Sequence, residues 1–184
     1  MEELSYHILD LARNSIEAGA ANLEINVIED PAKNLLKFEV KDDGRGIGEN
    51  ALNKITDPFY TTKAAKKIGL GIPLLSEAVQ ACGGSLKIEP LSPNGTQVTA
   101  SFPYDHMDRA PLGDLPSTIS VLLAAGHCFN LIYRHRHVRK NFVFNTKEIR
   151  AQLGKVPLTT PAVLNWLQEY LDSSIRNLKR RRNN

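Results

Sequence analysis

The sequence predicts an α/β two-layer sandwich, a mixed β-sheet with helices on one face, followed by a small α+β appendage at the C-terminal end. Three features predict it: an amphipathic helical stripe that opens the chain, two pairs of alternating apolar strands flanking a second helix, and a change of charge and pattern after Pro103. The first helix is expected from Leu4 to Ala18, with Leu4, Ile8, Leu11 and Ser15 on one stripe and Gly19 as its stop. Its other stripe is polar: His7, Asp10, Asn14 and Glu17 recur at helical spacing, with His7 expected in solvent. Alternation in residues 23–27 and 36–40 around Asp30-Pro31-Ala32-Lys33-Asn34 makes a hairpin. A short helix is expected near residues 49–55, and a longer one over 72–82, with Pro73 in its first turn and Gly83-Gly84 as its stop. Strands over 85–89 and 96–102 then meet at the Ser92-Pro93-Asn94-Gly95 turn.

This organisation places one unit at residues 1–104, a linker at 105–117 rich in Asp, Pro and Gly, and a small basic α+β unit at 118–184. In the second unit the pattern gives a short helix over 118–125 and strands over 129–133 and 141–145 around the segment Arg134 to Lys140. Asn145 with Glu148 three residues on is a capping pattern for a helix ending at Gly154. Thr160-Pro161 opens a last helix whose Leu164, Leu167, Leu171, Ile175 and Leu178 form an apolar stripe. Trp166 and Tyr170 flank that stripe and are expected in the core or at a subunit interface, which leaves a homodimer open.

Composition narrows the class. With 42% hydrophobic and 23% charged residues among 184, the chain is neither disordered nor fibrous. No apolar run approaches the roughly 20 residues of a membrane span, and the start Met1-Glu2-Glu3 has no basic leader region, so a cytoplasmic protein without membrane contact is expected. Two cysteines, Cys82 and Cys128, exclude a disulfide framework, and Cys82 reads as a small buried residue. The net charge of +3 is unevenly spread: residues 1–104 hold 10 Lys and Arg against 14 Asp and Glu, and residues 105–184 hold 13 against 6. The basic half is a candidate for an anionic surface, although His127, Cys128, His135 and His137 match no metal-site spacing and the arginines lack the aromatic interleaving of a nucleic-acid binder.

Four features of the first unit belong together. Asp10 and Asn14 lie one helical turn apart; Asp42-Asp43-Gly44-Arg45-Gly46-Ile47-Gly48 is a glycine loop after a strand; Pro58-Phe59-Tyr60-Thr61-Thr62-Lys63 follows; and Gly69-Leu70-Gly71 opens a helix. A glycine-rich approach to a helix N-terminus offers free N–H groups and partial positive charge to phosphate. An asparagine nearby can give an oxygen to Mg²⁺, and a carboxylate one turn before it can accept a proton. The set describes a nucleotide site, and it contains neither a Walker A loop nor a dinucleotide fingerprint.

In order and spacing, residues 10–20, 42–48, 57–63, 69–71 and Asn94-Gly95-Thr96 resemble the N box, first glycine box, F box, second glycine box and final threonine strand of the GHKL ATPases (gyrase, heat-shock chaperone, histidine kinase, MutL). Asn14 to Ala20 is similar to the MutL form of the N box, and Pro58 to Lys63 with a short lid is closer to nitrogen-sensor-type histidine kinases. The resemblance implies a Bergerat-type ATP-binding fold with ATP and Mg²⁺ as cofactors. It implies that Asp42 accepts a hydrogen bond from the adenine amino group, with Gly44, Gly46, Ile47 and Thr96 around the base. By the same resemblance Asn14 holds Mg²⁺, Lys63, Gly69, Leu70 and Gly71 meet the phosphates, and Asp10 is the catalytic base where hydrolytic members carry Glu. The activity implied is phosphorylation of a partner protein, with the phosphoacceptor supplied by another chain, or regulation of an interaction by nucleotide state. A non-catalytic ATP-gated binding module and a MutL-like ATPase acting on nucleic acid are the alternatives.

Overall fold

The structure is a computed structural model and describes residues 3–48 and 71–180. It begins with α1 (Leu4–Glu17), β1 (Asn22–Asp30) and β2 (Leu35–Asp42), and resumes with α2 (Gly71–Ala81), β3 (Ser85–Pro90) and β4 (Thr96–Pro103). The remaining elements are α3 (Leu115–Ala124), β5 (Asn130–His137), β6 (Lys140–Asn145), α4 (Thr146–Leu153) and α5 (Pro161–Lys179). The short helix expected near 49–55 lies outside the described residues, as do Lys63, Gly69 and Leu70. Among the described residues no helix is long and apolar enough to cross a membrane.

The six strands of the described residues form one mixed sheet in the order β3-β4-β2-β1-β5-β6. The hairpin expected from the two alternating runs is present, with Leu23 opposite Asp42 and Asp30 opposite Leu35 across the antiparallel β1–β2 pair. Its turn is a single 3₁₀ turn over Pro31–Lys33, capped by the Asp30 carboxylate and closed by Asn34 in the left-handed region at φ 50°. Every second side chain of the central strands is buried: Leu23, Ile25 and Val27 from β1, Leu36, Phe38 and Val40 from β2, Val98, Ala100 and Phe102 from β4. The opposite face carries polar pairs such as Asn26 with Glu39 and Arg134 with Glu24. Such alternation buries one face of a sheet and leaves the other polar.

The α+β segment after residue 117 is joined to that sheet. β5 runs parallel to β1, with Asn22 opposite Asn130 and Glu29 opposite His137, and its Leu131 and Tyr133 enter the same core as Leu4 and Phe38. The residues read as a linker are packed: the amides of Leu4 and Ser5 donate to the carbonyls of Pro111 and Leu112 at 2.9 Å, and Ala110 and Leu112 are buried. α3 also begins at Leu115, earlier than the pattern suggests, because Asp114 caps it through Ser117 N–H at 2.9 Å. Composition reads a Pro- and Gly-containing stretch as a connector, and only the partner backbone shows that its own groups are satisfied.

Three further expectations change in three dimensions. The segment Arg134 to His137 is the second half of β5, and the turn is only Val138 and Arg139, with Val138 at φ 56°. His7 is 8% exposed, so it is buried rather than in solvent. Trp166 and Tyr170 lie outside the core, 48% and 39% exposed on α5, whose buried stripe is Val163, Leu167, Leu171 and Leu178. The Asn145 cap forms as the sequence predicts, with its side chain accepting from Lys147 N–H and donating to Glu148.

At the end of β1 remote from Asp42, a buried polar cluster replaces apolar packing. Glu29 Oε1 lies 2.8 Å from His135 Nε2 and 2.9 Å from Lys179 Nζ, while His135 Nδ1 lies 2.7 Å from the Tyr133 hydroxyl. A carboxylate only accepts, so His135 Nε2–H donates to Glu29, and the other ring nitrogen joins the imidazole to the Tyr133 hydroxyl. Burial pushes the Glu29 pKa up, but the hydrogen bonds from His135 and Lys179 and their charge outweigh it and bring it from 4.5 to about 2. Burial, with the Glu29 charge nearby, raises the Tyr133 hydroxyl well above its ordinary value. Because the folded pKa of Glu29 is depressed, its stabilising contribution is complete above the unfolded value and is lost as pH falls toward about 2. Glu29→Gln should therefore cost about 1–3 kcal/mol at neutral pH, with the gap to wild type closing between pH 4.5 and 2 in denaturant titrations.

Candidate nucleotide site

α1 carries the site because both of its stripes are in use. Leu4, Ile8, Leu11 and Ser15 all face the core, as their spacing predicts. At the end of that stripe the Ser15 hydroxyl donates to Asp42 Oδ2 at 2.6 Å, while the Gly44 amide donates to Asp42 Oδ1 at 2.9 Å. The carboxylate at the end of β2 is thus buried, 8% exposed, and held in one orientation by a helix on one side and its own loop on the other. Each oxygen has the capacity to accept one further hydrogen bond.

The loop after Asp42 approaches the β3–β4 turn backbone against backbone. Gly46 adopts φ +75°, and a methyl group there would sit 3.0 Å from the Gly95 carbonyl. Gly95, at φ +118°, is tighter still: a β-carbon would fall 2.1 Å from the Asp42 carbonyl oxygen. No other residue type fits that contact and that backbone angle together. Thr96 follows directly, buried and in register with Asp42 across β2 and β4. Ile47 is half-buried beside Gly46, and Gly44 is crowded by the Ala18 methyl at the end of α1.

The polar stripe of α1 meets the start of α2. From the position of a β-carbon on Gly71, the Asp10 β-carbon is 3.6 Å away, Asn14 Nδ2 is 3.8 Å and Asp10 Oδ2 is 3.8 Å. Asp10 is exposed and Asn14 half-buried. Asn14 and Ser15 are sequence neighbours, so one turn of α1 touches both the α2 N-terminus and the buried Asp42. Asp10, Asn14, Asp42, Gly44, Gly46, Ile47, Gly71 and Thr96 are thereby brought to one end of the sheet. Among the described residues no cluster of three or more His, Cys, Asp or Glu side chains forms a metal cage.

Sequence reasoning missed two supports of this site. Ser15 reads as a member of an apolar stripe, and a hydroxyl among Leu and Ile was the available signal. Asp43 is exposed on the loop, and its Oδ1 accepts from the amides of Ala21 and Asn22 at 2.8 Å and its Oδ2 from the Asn22 side chain at 2.6 Å. Burial slightly opposes ionisation there, and those hydrogen bonds lower the Asp43 pKa nonetheless. The carboxylate pins the α1–β1 corner to the end of β2.

The family model for histidine kinase-, DNA gyrase B-, and HSP90-like ATPases matches residues 2–106, which is 105 of the 184 residues. The chain belongs to this ATPase family. Its ATP-binding, kinase-like ATPase domain includes every residue of the site described above. It is 30% identical over 112 residues to the sensor histidine kinase ZraS of Escherichia coli O157:H7, covering 61% of this chain and 24% of that protein. It is 33% identical over 102 residues to the sensor histidine kinase WalK of Bacillus subtilis (strain 168), covering 53% and 16%. The chain thus spans about a quarter or less of these relatives. Its fold is similar to the crystal structure of the N-terminal domain of a DNA repair protein, with TM-score 0.59 and 16% identity over 86% of this chain and 59% of that one. That coverage exceeds the family segment, so the fold likeness includes part of residues 107–184.

Two substitutions test the local geometry. Ser15→Ala removes the hydrogen bond that orients Asp42 and should cost about 1–3 kcal/mol in denaturant unfolding, with a parallel loss of nucleotide affinity in calorimetry. Gly95→Ala should destabilise by at least about 1–3 kcal/mol, because it combines a disfavoured backbone angle with a clash that only movement of β2 relieves.

Proposed function

We propose that this chain binds Mg-ATP at the Asp42 end of the sheet and passes the γ-phosphoryl group to a partner protein. The observation that carries the proposal is the contact of Asp10 and Asn14 with the first residue of α2, one residue along α1 from the Ser15–Asp42 hydrogen bond. Asp42 would accept from the adenine amino group, with Gly46 and Ile47 bordering the base and Thr96 beside it. The Asn14 amide oxygen is a hard donor of the kind Mg²⁺ takes, and it would hold the ion next to the α2 N-terminus. Bound there, Mg²⁺ would neutralise charge on the phosphate oxygens. The Gly71 amide, with Gly69 and Leu70 before it and Lys63, would meet those oxygens at a helix end whose dipole favours negative charge. Asp10 would accept the proton of the attacking group, and its side chain, one methylene shorter than glutamate, sets how near that group must come.

Incubation with Mg²⁺ and γ-labelled ATP, following free phosphate and protein-bound label, tests this reading. Asp42→Asn should weaken ATP binding at least tenfold and remove nucleotide protection against thermal unfolding. Asp10→Asn should leave binding within twofold of wild type while lowering turnover by roughly 10²–10⁴. Nucleotide binding without turnover in wild type would favour an ATP-gated interaction, and unchanged protection in Asp42→Asn would overturn the base-binding role.

A second reading, an ATPase acting on nucleic acid, is supported by two observations. The fold likeness to a DNA repair protein's N-terminal domain extends beyond residue 106, and the segment 105–184 holds 13 Lys and Arg against 6 Asp and Glu. DNA affinity falling steeply with salt, with a slope reporting several phosphate contacts, would favour it.

A further inference from the structure

The two edges of the sheet are built differently. At one edge, β3 carries Lys87, Glu89 and Pro90, with a 2.7 Å ion pair between Lys87 and Glu89; charge and proline are the usual means of keeping an edge from pairing. At the other, β6 opens with Lys140, whose ammonium is engaged by the Asn177 and Arg180 carbonyls, and continues Asn141-Phe142-Val143-Phe144-Asn145 without a further charge or a proline. Among the described residues no strand pairs with the outer edge of β6. The β5–β6 ladder closes on His137 opposite Lys140 across a two-residue turn, so its alternation directs the backbone groups of Asn141, Val143 and Asn145 away from β5.

Both faces beside this edge are prepared for apolar side chains. On the helix-free face Val143 is 55% exposed. On the helix face Phe142 contacts Tyr170 edge-on at 5.8 Å, and Tyr170 stacks on Trp166 at 5.6 Å with the rings 9° from parallel. A groove of about 460 Å³ runs between β6 and α5, lined by Lys140, Asn141, Phe142, Ser174, Asn177 and Leu178. Large aromatic rings left open to solvent next to an unpaired strand edge mark an interaction surface.

Charge selects the occupant. From Leu115 to Lys147 the chain has no carboxylate, while Arg136 and Arg139 are exposed at the turn end of β6 and Lys147 at the other. Glu148, the nearest acidic group in sequence, is already engaged by Asn145. A second copy pairing antiparallel about Val143 would set Arg139 of one copy against Lys147 of the other, which opposes like charges. An acidic strand meets the same groups favourably.

We propose that the open edge of β6 binds an extended acidic segment of a partner protein by strand addition, with apolar side chains on Val143 and on the Phe142–Tyr170–Trp166 cluster and carboxylates on Arg139 and Lys147. This surface stands apart from the nucleotide site, and its occupancy does not depend on how ATP is used.

Trp166 is the sole tryptophan, so its fluorescence reports binding directly. The probe is an eight-residue peptide with four central valines and two glutamates at each end, titrated into the full chain beside the same peptide with a central proline, a valine–lysine peptide of the same pattern and a single-stranded oligonucleotide. Saturable quenching or enhancement by the valine–glutamate peptide alone is expected, with amide shifts confined to β6 and α5 in the NMR spectrum. Val143→Pro removes an outward N–H, and Arg139→Glu reverses a charge in an exposed turn without touching the strand; each should weaken binding at least tenfold while ATP-dependent thermal protection stays as in wild type. Absence of binding by the valine–glutamate peptide would overturn the proposal. So would preference for the lysine peptide or the oligonucleotide, binding unaffected by Arg139→Glu, or sedimentation showing that the edge is covered by a second copy.

Discussion

The arrangement of the nucleotide end depends on the burial of α1 against the centre of the sheet. Leu4, Ile8, Leu11 and Ala12 are all at most 4% exposed, so the helix cannot rotate without exposing them. With its rotation set, Ser15 must point at the end of β2 and Asn14 at the start of α2. The 2.6 Å hydrogen bond to Asp42 is the polar counterpart of that apolar packing: a carboxylate buried there needs a donor, and α1 brings one.

Two buried polar groups of the sheet illustrate different uses of the same chemistry. Asp42 accepts from one hydroxyl and one amide, one on each oxygen, which leaves each oxygen with further acceptor capacity. Glu29, at the far end of β1, is closed off by His135 and Lys179, with Tyr133 completing the chain. The first has the acceptor capacity that the proposed nucleotide recognition would use. The second ties β1, β5 and the last turn of α5 together, and Lys140 adds to it by donating to the Asn177 and Arg180 carbonyls.

The C-terminal segment changes what the family segment can do physically. By pairing β5 with β1, it covers a strand that would otherwise be an edge next to the nucleotide end, and it moves that edge outward to β6. The aromatic side chains of α5 and β6 then lie together at the new edge, far in sequence from the glycine loops. Arg134 shows the cost of reading such a segment in one dimension: within a basic run it looks like a solvated turn, whereas in the sheet it pairs with Glu24 at 2.7 Å on the helix-free face.

Much of the site was legible because its determinants are local. A helix with two distinct stripes, glycines at positions of positive φ and strands that alternate cleanly follow from short-range sterics and from burial of one face. Asp10, Asn14, Asp42 and Gly46 could be singled out on that basis, and Thr96 through the resemblance to the GHKL ATPases. By contrast, Ser15 as the partner of Asp42, the packed course of residues 105–117, the buried His7 and the Glu29–His135–Lys179 cluster were decided by tertiary structure alone. Each joins residues far apart in the chain, and the free energy that selects such contacts comes from desolvating and then satisfying groups that the sequence pattern cannot see together.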